Sequence, residues 1–354
     1  MKGLVLSGGK GTRLRPLTYT SAKQLIPIAN KPCLFYVLED LARAGIKEIG
    51  IIVGDAEKEI REAVGDGSRW NTNITYIKQD EPLGLAHTVI ISEKFLRGEP
   101  FVMYLGDNIL KEGIATLVQN YKHSGANAAI LLAEVPNPQQ FGVAELKDGK
   151  VVRLIEKPKI PPSNYALVGV YMFDDTIFEA VKQLKPSWRN EYEITDAIQY
   201  LIDKGFTVEP HIVSGYWKDT GKLEDILEAN RIILEDINKN IQGTVDSKST
   251  LSGKIIIGTT TKIIGTTIRG PVIIGENAFI KNSFIGPFTS IGNSVQIVNS
   301  EIENSIIMSN SKILGLRRRV EGSLIGKDVE IKRENKPPKA YRFMVGDNSQ
   351  IGIY

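Results

Sequence analysis

A chain of 354 residues carries one cysteine, Cys33, and only three histidines. A lone thiol excludes an intramolecular disulfide framework and suits a reducing compartment. Three histidines, none inside a motif, argue against chemistry built on an imidazole base. Charge of one sign is also scarce: the formal net charge is +3, too small a field to attract nucleic acid or an anionic membrane. The single basic cluster, Arg317–Arg319, reads as a solvated loop. No apolar run approaches the ~18 residues that a bilayer-spanning helix needs. The N-terminus opens into a strand-like run with no basic, apolar and small-residue leader. These absences lead us to expect a soluble cytoplasmic protein with no nucleic-acid and no membrane partner. A hydrophobic fraction of 42% and a charged fraction of 24% are ordinary for globular chains, and the length suits two or three domains.

Glycine, by contrast, is concentrated where it matters. In Leu4–Arg15, LVLSGGKGTRLR, an apolar run ending at Leu6 is followed by Gly8, Gly9 and Gly11, then Arg13 and Arg15, with Lys23 one short loop further on. The apolar run reads as a buried parallel strand, so the glycine loop lies at its carboxyl end, where open α/β sheets hold ligands. Glycines there admit an anion close to backbone N–H groups, and Arg and Lys supply the charge a polyphosphate requires. A Walker loop is excluded because Gly11 is followed by Thr12 and Arg13. A dinucleotide fingerprint is excluded because the third glycine is missing. The segment predicts a nucleotide-phosphate site.

Two periodicities divide the chain. From Lys2 to about Asn240, short apolar strands alternate with amphipathic helices, the pattern of a mostly parallel, helix-covered sheet. Strands are expected at 49–53, 75–79, 101–105, 128–135 and 167–173. Helices are expected at 30–44, 57–64, 86–95, 194–204 and 222–238, the first with Leu34, Val37, Leu38 and Leu41 as its apolar stripe and Gly45 as its stop. After Asn240 isoleucines recur six residues apart, at 268, 274 and 280 and again at 285, 291 and 297, with Ile-Gly pairs throughout. Such hexads predict a parallel β-helix, one hexad to each face of a triangular coil. Loops at 317–319 and 333–341, the latter with Pro337-Pro338, interrupt the repeat, and Val345 and Ile351 resume its spacing. The expected domains are 1–240 and 241–354.

Several polar residues fall at the ends of these strands. Asp107, in LGDN, follows the strand 101–105, and a carboxylate beside a phosphate loop is suited to a divalent ion that takes only one or two protein carboxylates. Asp219, in WKDTG, is a second candidate, although only the fold can bring the two together. Glu156-Lys157-Pro158 offers an acceptor for sugar hydroxyls beside a cation for a phosphate. Gln79 can donate and accept at once, as the edge of a pyrimidine requires. His87 reads as a helix-start residue.

Taken together, GGxGTRLRPLT, Lys23-Gln24-Leu25, QxxPxGLA, LGDN, Phe141-Gly142-Val143, EKP, EITD at 193–196 and WKDTG closely resemble the sugar-1-phosphate nucleotidylyltransferases. Within that family they resemble the long glucose-1-phosphate thymidylyltransferases. The resemblance covers essentially all of residues 1–240. It implies a Rossmann-like α/β nucleotidyltransferase domain followed by a left-handed β-helix, and a reaction in which an NTP and a sugar 1-phosphate give a nucleotide-sugar and pyrophosphate. It implies that Arg13 and Lys23 are catalytic. Leu6, Gly8, Gly9, Gly11, Thr12, Gln24, Gln79, Pro82 and Gly84 would bind nucleotide. Gly142, Glu156, Lys157 and Val168 would bind sugar phosphate, and Asp107 and Asp219 would bind Mg²⁺. The implied substrates are dTTP, with UTP as the competing nucleotide, and glucose 1-phosphate. Two departures from the family pattern, Phe141 for Tyr and Lys218 for Leu, remove no phosphate or metal ligand.

The alternatives are a uridylyltransferase making UDP-glucose or UDP-N-acetylglucosamine, and a catalytically silent regulatory subunit, which would have lost Arg13, Lys23, Asp107 or Asp219. The last histidine is His211, so the hexapeptide region carries no imidazole base for acetyl transfer. Its expected role is to bury its own core and support a homo-oligomer.

Overall fold

Val5 faces one side of the first strand and Leu4 and Leu6 the other, and all three are buried. That two-sided burial marks a central strand of a sheet covered by helices. The computed structural model describes residues 1–213, 215–334 and 341–353; Pro337-Pro338 lie outside them. The strands that build the site are β1 (Lys2–Leu6), β2 (Pro27–Ile28), β3 (Lys31–Pro32), β4 (Glu48–Val53), β5 (Asn73–Lys78), β6 (Phe101–Leu105), β7 (Asn108–Leu110), β8 (Ala128–Glu134), β9 (Gly142–Lys147), β10 (Lys150–Glu156), β11 (Tyr165–Phe173), β12 (Val208–Ile212) and β13 (Trp217–Asp219). The helices are α1 (Cys33–Arg43), α2 (Glu57–Val64), α3 (Leu85–Ile91), α4 (Glu93–Leu96), α5 (Ala115–Ser124), α6 (Ile177–Gln183), α7 (Ile194–Asp203) and α8 (Leu223–Glu235).

The main sheet has the order β10-β9-β11-β6-β1-β4-β5, with β8 on β11 and β12 on β8. Strands β6, β1, β4 and β5 run parallel, as the alternating pattern predicts. From β11 outward the partners β6, β8 and β9 are antiparallel, so the sheet is mixed. Against β8 the register of β11 shifts between Leu167 and Tyr171, and Gly169 lies in that irregularity at a φ of 74°. A separate antiparallel ribbon pairs β7 with β13.

Most helices follow their apolar stripes. Leu34, Val37, Leu38 and Leu41 of α1 are fully buried. Two expectations are corrected. The helix predicted from Asn30 begins at Cys33, because Pro27–Pro32 folds as the β2–β3 hairpin. The helix predicted over 86–95 breaks at Ser92 into α3 and α4.

Beyond α8 the chain forms three parallel sheets among the described residues. Ile257, Ile274, Ile291, Ile307 and Ile325 stack in register on one face. Ile263, Ile280, Ile297 and Ile313 stack on the second, and Ile268, Ile285 and Ile302 on the third. These isoleucines form one interior cluster, which makes the region a parallel β-helix. Corner residues such as Asn277, Asn282, Asn299 and Asn310 take positive φ, which Asn tolerates better than most residues. Ser and Thr hydroxyls link coil to coil, as where Thr261 Oγ1 accepts Ala278 N–H across 17 residues. The resumption expected at Val345 and Ile351 is not realised: 341–353 contain no strand, and both side chains are more than half exposed.

The molecule divides into two compact units. One comprises Met1–Lys10, Ser21–Leu25 and Cys33–Asp219. The other comprises Gly11–Thr20, Ile26–Pro32 and Thr220–Tyr354.

Candidate active site

The parallel half of the sheet brings the ends of β1, β4, β5 and β6 to one edge. Ser7 N donates to Ile52 O at 2.9 Å and Gly106 N to Leu6 O at 2.9 Å, so the turns after β1 and β6 leave the sheet side by side. The Leu6 side chain lies in the core, and its carbonyl serves this joint. The backbone is closely approached at Gly8: a Cβ there would stand 3.3 Å from Gln79 Oε1, so the glutamine side chain would have to shift, and one on Gly54 would stand 3.0 Å from Gly8 O. Gly9 is more open, since a Cβ there would stand 3.9 Å from Gln24 Nε2. Gln24 Oε1 and Ser7 Oγ are buried without a hydrogen-bond partner among the described residues. Buried acceptors of this kind are costly unless a ligand completes them.

Gln79 follows β5 and is held by Val53 O, which accepts its N–H at 2.8 Å. Its amide nitrogen meets His87 Nδ1 at 3.1 Å and Gly84 O at 3.5 Å. Burial lowers the His87 pKa, so near neutral pH the ring is uncharged and Nδ1 can accept from Gln79. The helix-start reading of His87 therefore misses its part in orienting Gln79. Gly84 has φ 102°, and a Cβ there would lie 2.5 Å from Tyr192 O. The strap is tied to Tyr192, whose N–H donates to Leu83 O and whose carbonyl accepts from Ala86 N. Pro82 is exposed on the same strap.

Lys23 is nearly buried on a one-turn 3₁₀ helix. Its ammonium forms an ion pair with Asp107 Oδ2 and stands 3.6 Å from Asp219 Oδ1. The β7–β13 ribbon explains the meeting, since Asp219 lies opposite Asn108, the neighbour of Asp107. Asn108 Nδ2 donates to Asp107 Oδ1 at 3.0 Å, and Trp217 Nε1 donates to Asn108 Oδ1 at 2.6 Å. Carboxylates that share one ammonium are close enough to share a cation. Among the described residues no group of three or more Asp, Glu, His or Cys side chains is arranged to hold a metal. A two-carboxylate site instead fits a hard divalent ion that completes its shell with phosphate and water.

A second cluster lies where β9, β10 and the start of α7 meet. Gly142 pairs with Glu156, and a Cβ at Gly142 would fall 2.6 Å from Thr195 Cγ2 and 2.8 Å from Leu167 Cδ1. Glu156 accepts from Thr195 Oγ1 and from Arg189 Nη1, each at 3.3 Å. Arg189 also reaches Glu193 Oε1 at 3.4 Å and Glu191 Oε1 at 2.9 Å. Burial raises the Glu156 pKa and the nearby Glu193 adds to the rise, against Lys157 and Arg189. Lys157 takes φ 41° and lies 3.8 Å from Glu156 Oε1. Val168 is fully buried in the core, so only its backbone can meet a ligand. The ring of Phe141 packs edge-on against Trp217 at 5.7 Å, joining this cluster to the ribbon that carries Asp219.

Gly11, Thr12 and Arg13 belong to the second unit. Gly11 takes φ 60° before the turn Thr12–Leu14, on which Thr12 and Arg13 are exposed while Leu14 is buried. Thr18 Oγ1 donates to Gly11 O at 2.7 Å, and Arg15 stacks on Tyr19. Sequence reasoning passes over Ser7, Arg189 and Thr195. Ser7 borders the glycine loop, and Thr195 lies in the EITD motif, so both carried a signal.

The model of the nucleotidyl transferase family matches residues 2–236. A glucose-1-phosphate thymidylyltransferase of Streptomyces antibioticus is 51% identical over 100% of this chain and 99% of its own. One from Streptomyces griseus is 48% identical with the same coverage. A Bacillus anthracis candidate glucose-1-phosphate thymidylyltransferase, solved with sucrose, superposes with a TM-score of 0.63 at 34% identity, covering 68% of this chain and 98% of that one. Enzymes of this family join an NTP to a sugar 1-phosphate and generally work with a divalent metal. The glycine turn after β1, the Lys23–Asp107–Asp219 cluster and these full-length likenesses together make the chain a member of the nucleotidyl transferase family.

Proposed function

We propose that the chain is a glucose-1-phosphate thymidylyltransferase: it transfers a deoxythymidylyl group from dTTP to glucose 1-phosphate and releases pyrophosphate and dTDP-glucose. The observation that carries this reading is the convergence of Lys23, Asp107 and Asp219 beside the glycine turn. A phosphate oxygen of the sugar phosphate forms a bond to the α-phosphorus of dTTP, and the bond from that phosphorus to the bridging oxygen of pyrophosphate breaks. The nucleophile arrives as an oxyanion, so no protein base is needed. The protein's task is alignment and neutralisation of two anions.

In this reading Gly8, Gly9, Gly11 and Thr12 hold the triphosphate, and Arg13 and Lys23 neutralise it. Gln79, Gln24 and Gly84 read the base, with Pro82 and the Leu6 carbonyl at its margin. Glu156 accepts sugar hydroxyls, Lys157 meets the sugar phosphate, and Gly142 and the Val168 backbone leave space for the ring. Asp107 and Asp219 would hold Mg²⁺, which when bound draws charge from the phosphates and fixes their geometry. Residues 1–240 serve as the catalytic domain and 241–354 as the β-helix domain, in a cytoplasmic homo-oligomer. UTP differs from dTTP by a methyl and a hydroxyl, and one methyl is discriminated by only about 1–3 kcal/mol, so some use of UTP accompanies this specificity.

The test is pyrophosphate release with glucose 1-phosphate and Mg²⁺, comparing dTTP with UTP, for wild type and Asp107→Ala. Faster release with dTTP, reduced more than about 100-fold in the variant, is the expected outcome. Equal or faster turnover with UTP would move the chain to the uridylyl reading, and silence with every sugar phosphate would point to a regulatory subunit.

A further inference from the structure

The amide of Gln79 has a donor end and an acceptor end, and the fold leaves only one of them open. Gln79 follows β5 directly and is 9% exposed. Its Nε2 lies 3.1 Å from His87 Nδ1 and 3.5 Å from the Gly84 carbonyl oxygen. A carbonyl oxygen can only accept, so the amide nitrogen, and not the amide oxygen, belongs on that side. Its two hydrogens then point at Gly84 O and at His87 Nδ1, which acts as an acceptor. At the other end Oε1 stands beside the glycine turn, 3.3 Å from the place a Cβ on Gly8 would take. Among the described residues no donor meets it. An enclosed amide oxygen of this kind is completed by a donor from outside the protein.

His87 keeps the amide this way round. The contact to Gly84 O is too long to fix it alone, whereas the imidazole is well placed to do so. Ala86 N–H, one residue before it, donates to Tyr192 O at 3.0 Å, and Tyr192 N–H donates to Leu83 O at 2.7 Å. The Tyr192 ring stacks on the imidazole with centroids 6.3 Å apart and 27° between the planes. Burial favours the neutral imidazole, against the pull of Glu81, and a neutral ring whose Nδ1 accepts carries its hydrogen on Nε2. All of these residues lie within Met1–Lys10 and Cys33–Asp219, in one compact unit.

We infer that His87 is a positioning residue for base selection: by holding the Gln79 amide with its oxygen toward the glycine turn, it admits the N3–H of a 4-keto pyrimidine and rejects the bare N3 of cytosine. This rests on the reading above in which Gln79 meets the base of the nucleotide. Thymine and uracil share the N3–H, so His87 has no bearing on the choice between dTTP and UTP. Cytosine would set the N3 lone pair against Gln79 Oε1, acceptor to acceptor. Without the imidazole acceptor the amide is free to turn and offer an N–H to cytosine, and the discrimination relaxes.

The test uses the full-length chain with Mg²⁺, as wild type, His87→Phe, His87→Asn, Gln79→Leu and Gln79→Leu combined with His87→Phe. Phenylalanine keeps a ring against Tyr192 and loses the acceptor. Asparagine places an acceptor oxygen the same number of bonds from the backbone as Nδ1. Dissociation constants for dTTP, dUTP and dCTP are measured by titration calorimetry, and turnover is measured separately with dTTP and glucose 1-phosphate. The bases of dUTP and dCTP differ only along the edge assigned to Gln79. Wild type should bind dUTP at least about 100-fold more tightly than dCTP. His87→Phe should shrink that ratio at least about fivefold, and His87→Asn should restore most of it. The ratio of dTTP to dUTP should stay within about twofold in wild type and both His87 variants, a pattern that general loosening of the strap would not give. In the Gln79→Leu background, His87→Phe should move the dUTP to dCTP ratio less than about twofold, because both changes act through one amide. An unchanged ratio in His87→Phe, equal weakening of all three nucleotides, no rescue by His87→Asn, or a wild type that binds dUTP and dCTP alike would each overturn the inference. A wild type that binds these nucleotides but makes no dTDP-glucose would instead sink the thymidylyltransferase reading, while the binding ratios would still decide the part of His87. If His87→Phe does not fold, ¹⁵N spectra of the wild-type imidazole near neutral pH must show Nδ1 bare and Nε2 protonated, or the inference fails.

Discussion

Asp107 and Asp219 acquire their meaning from a three-residue ribbon that neither could announce alone. The LGDN and WKDTG motifs are legible one at a time, but their meeting depends on the pairing of Asn108 with Asp219. Glu156 shows the same limit. Its place after a strand is visible in the sequence, whereas its pKa depends on Arg189 and Glu193, which only the packing of α7 on β10 brings near. In the proposed function the ionised carboxylate accepts sugar hydroxyls, and on that reading the raised pKa has a functional sign. The kcat/KM for glucose 1-phosphate should fall toward tenfold per unit as pH drops below the folded Glu156 pKa, above the ordinary 4.5. Glu156→Gln should leave only the titration of the substrate phosphate, which parallel pH profiles would reveal. The stability sign is opposite. The folded chain holds this proton more tightly than the unfolded one, so wild-type melting temperature relative to Glu156→Gln should decline as pH rises through that window. Profiles that superpose for the two proteins would remove Glu156 from the sugar site.

Elements were legible where one periodicity ruled them. Strand β6 and helix α2 fall on the residues that the apolar pattern marks, and the β-helix follows from isoleucine spacing alone. The step of five from Ile280 to Ile285, which looks irregular in sequence, recurs from Ile297 to Ile302. It is part of the 17-residue coil that the Thr261–Ala278 bond spans. Boundaries failed where local conformation overrode pattern. Pro32 looks like a helix-start proline, yet the left-handed residues Ala29 and Asn30 turn the chain back before α1 begins. The antiparallel half of the sheet was not legible either, since strand direction depends on connections rather than on side-chain alternation. In the β-helix each coil sees only its neighbours, so damage to a middle coil uncouples both sides. Ile297 is fully buried there, and Ile297→Ala should lower the stability of this unit by about 2–5 kcal/mol. Urea unfolding followed by far-UV circular dichroism would show it as an earlier midpoint, and an unshifted curve would mean that the coils do not share a core.

At the scale of the whole chain, composition spoke mainly by exclusion. Among the described residues no helix is long and apolar enough to cross a membrane. Which surfaces the proposed homo-oligomer would use was not legible, because that depends on shape. Between Tyr341 and Ile353 the side chains of Tyr341, Phe343, Met344, Val345, Ile351 and Ile353 are exposed, an apolar density that favours burial against another surface. Light scattering should therefore return a multiple of the 39.1 kDa chain mass, and a single monomeric species would reject the homo-oligomer.

The one sulfhydryl offers a consequence of another kind. Cys33 opens α1, immediately after the β2–β3 hairpin, and is 1% exposed. A thiol so enclosed reacts only when its surroundings open. In a chain with no second cysteine, every labelling event reports one place. The native sequence thus carries a clock for the breathing of the segment between the hairpin and α1, readable by mass spectrometry without altering a residue.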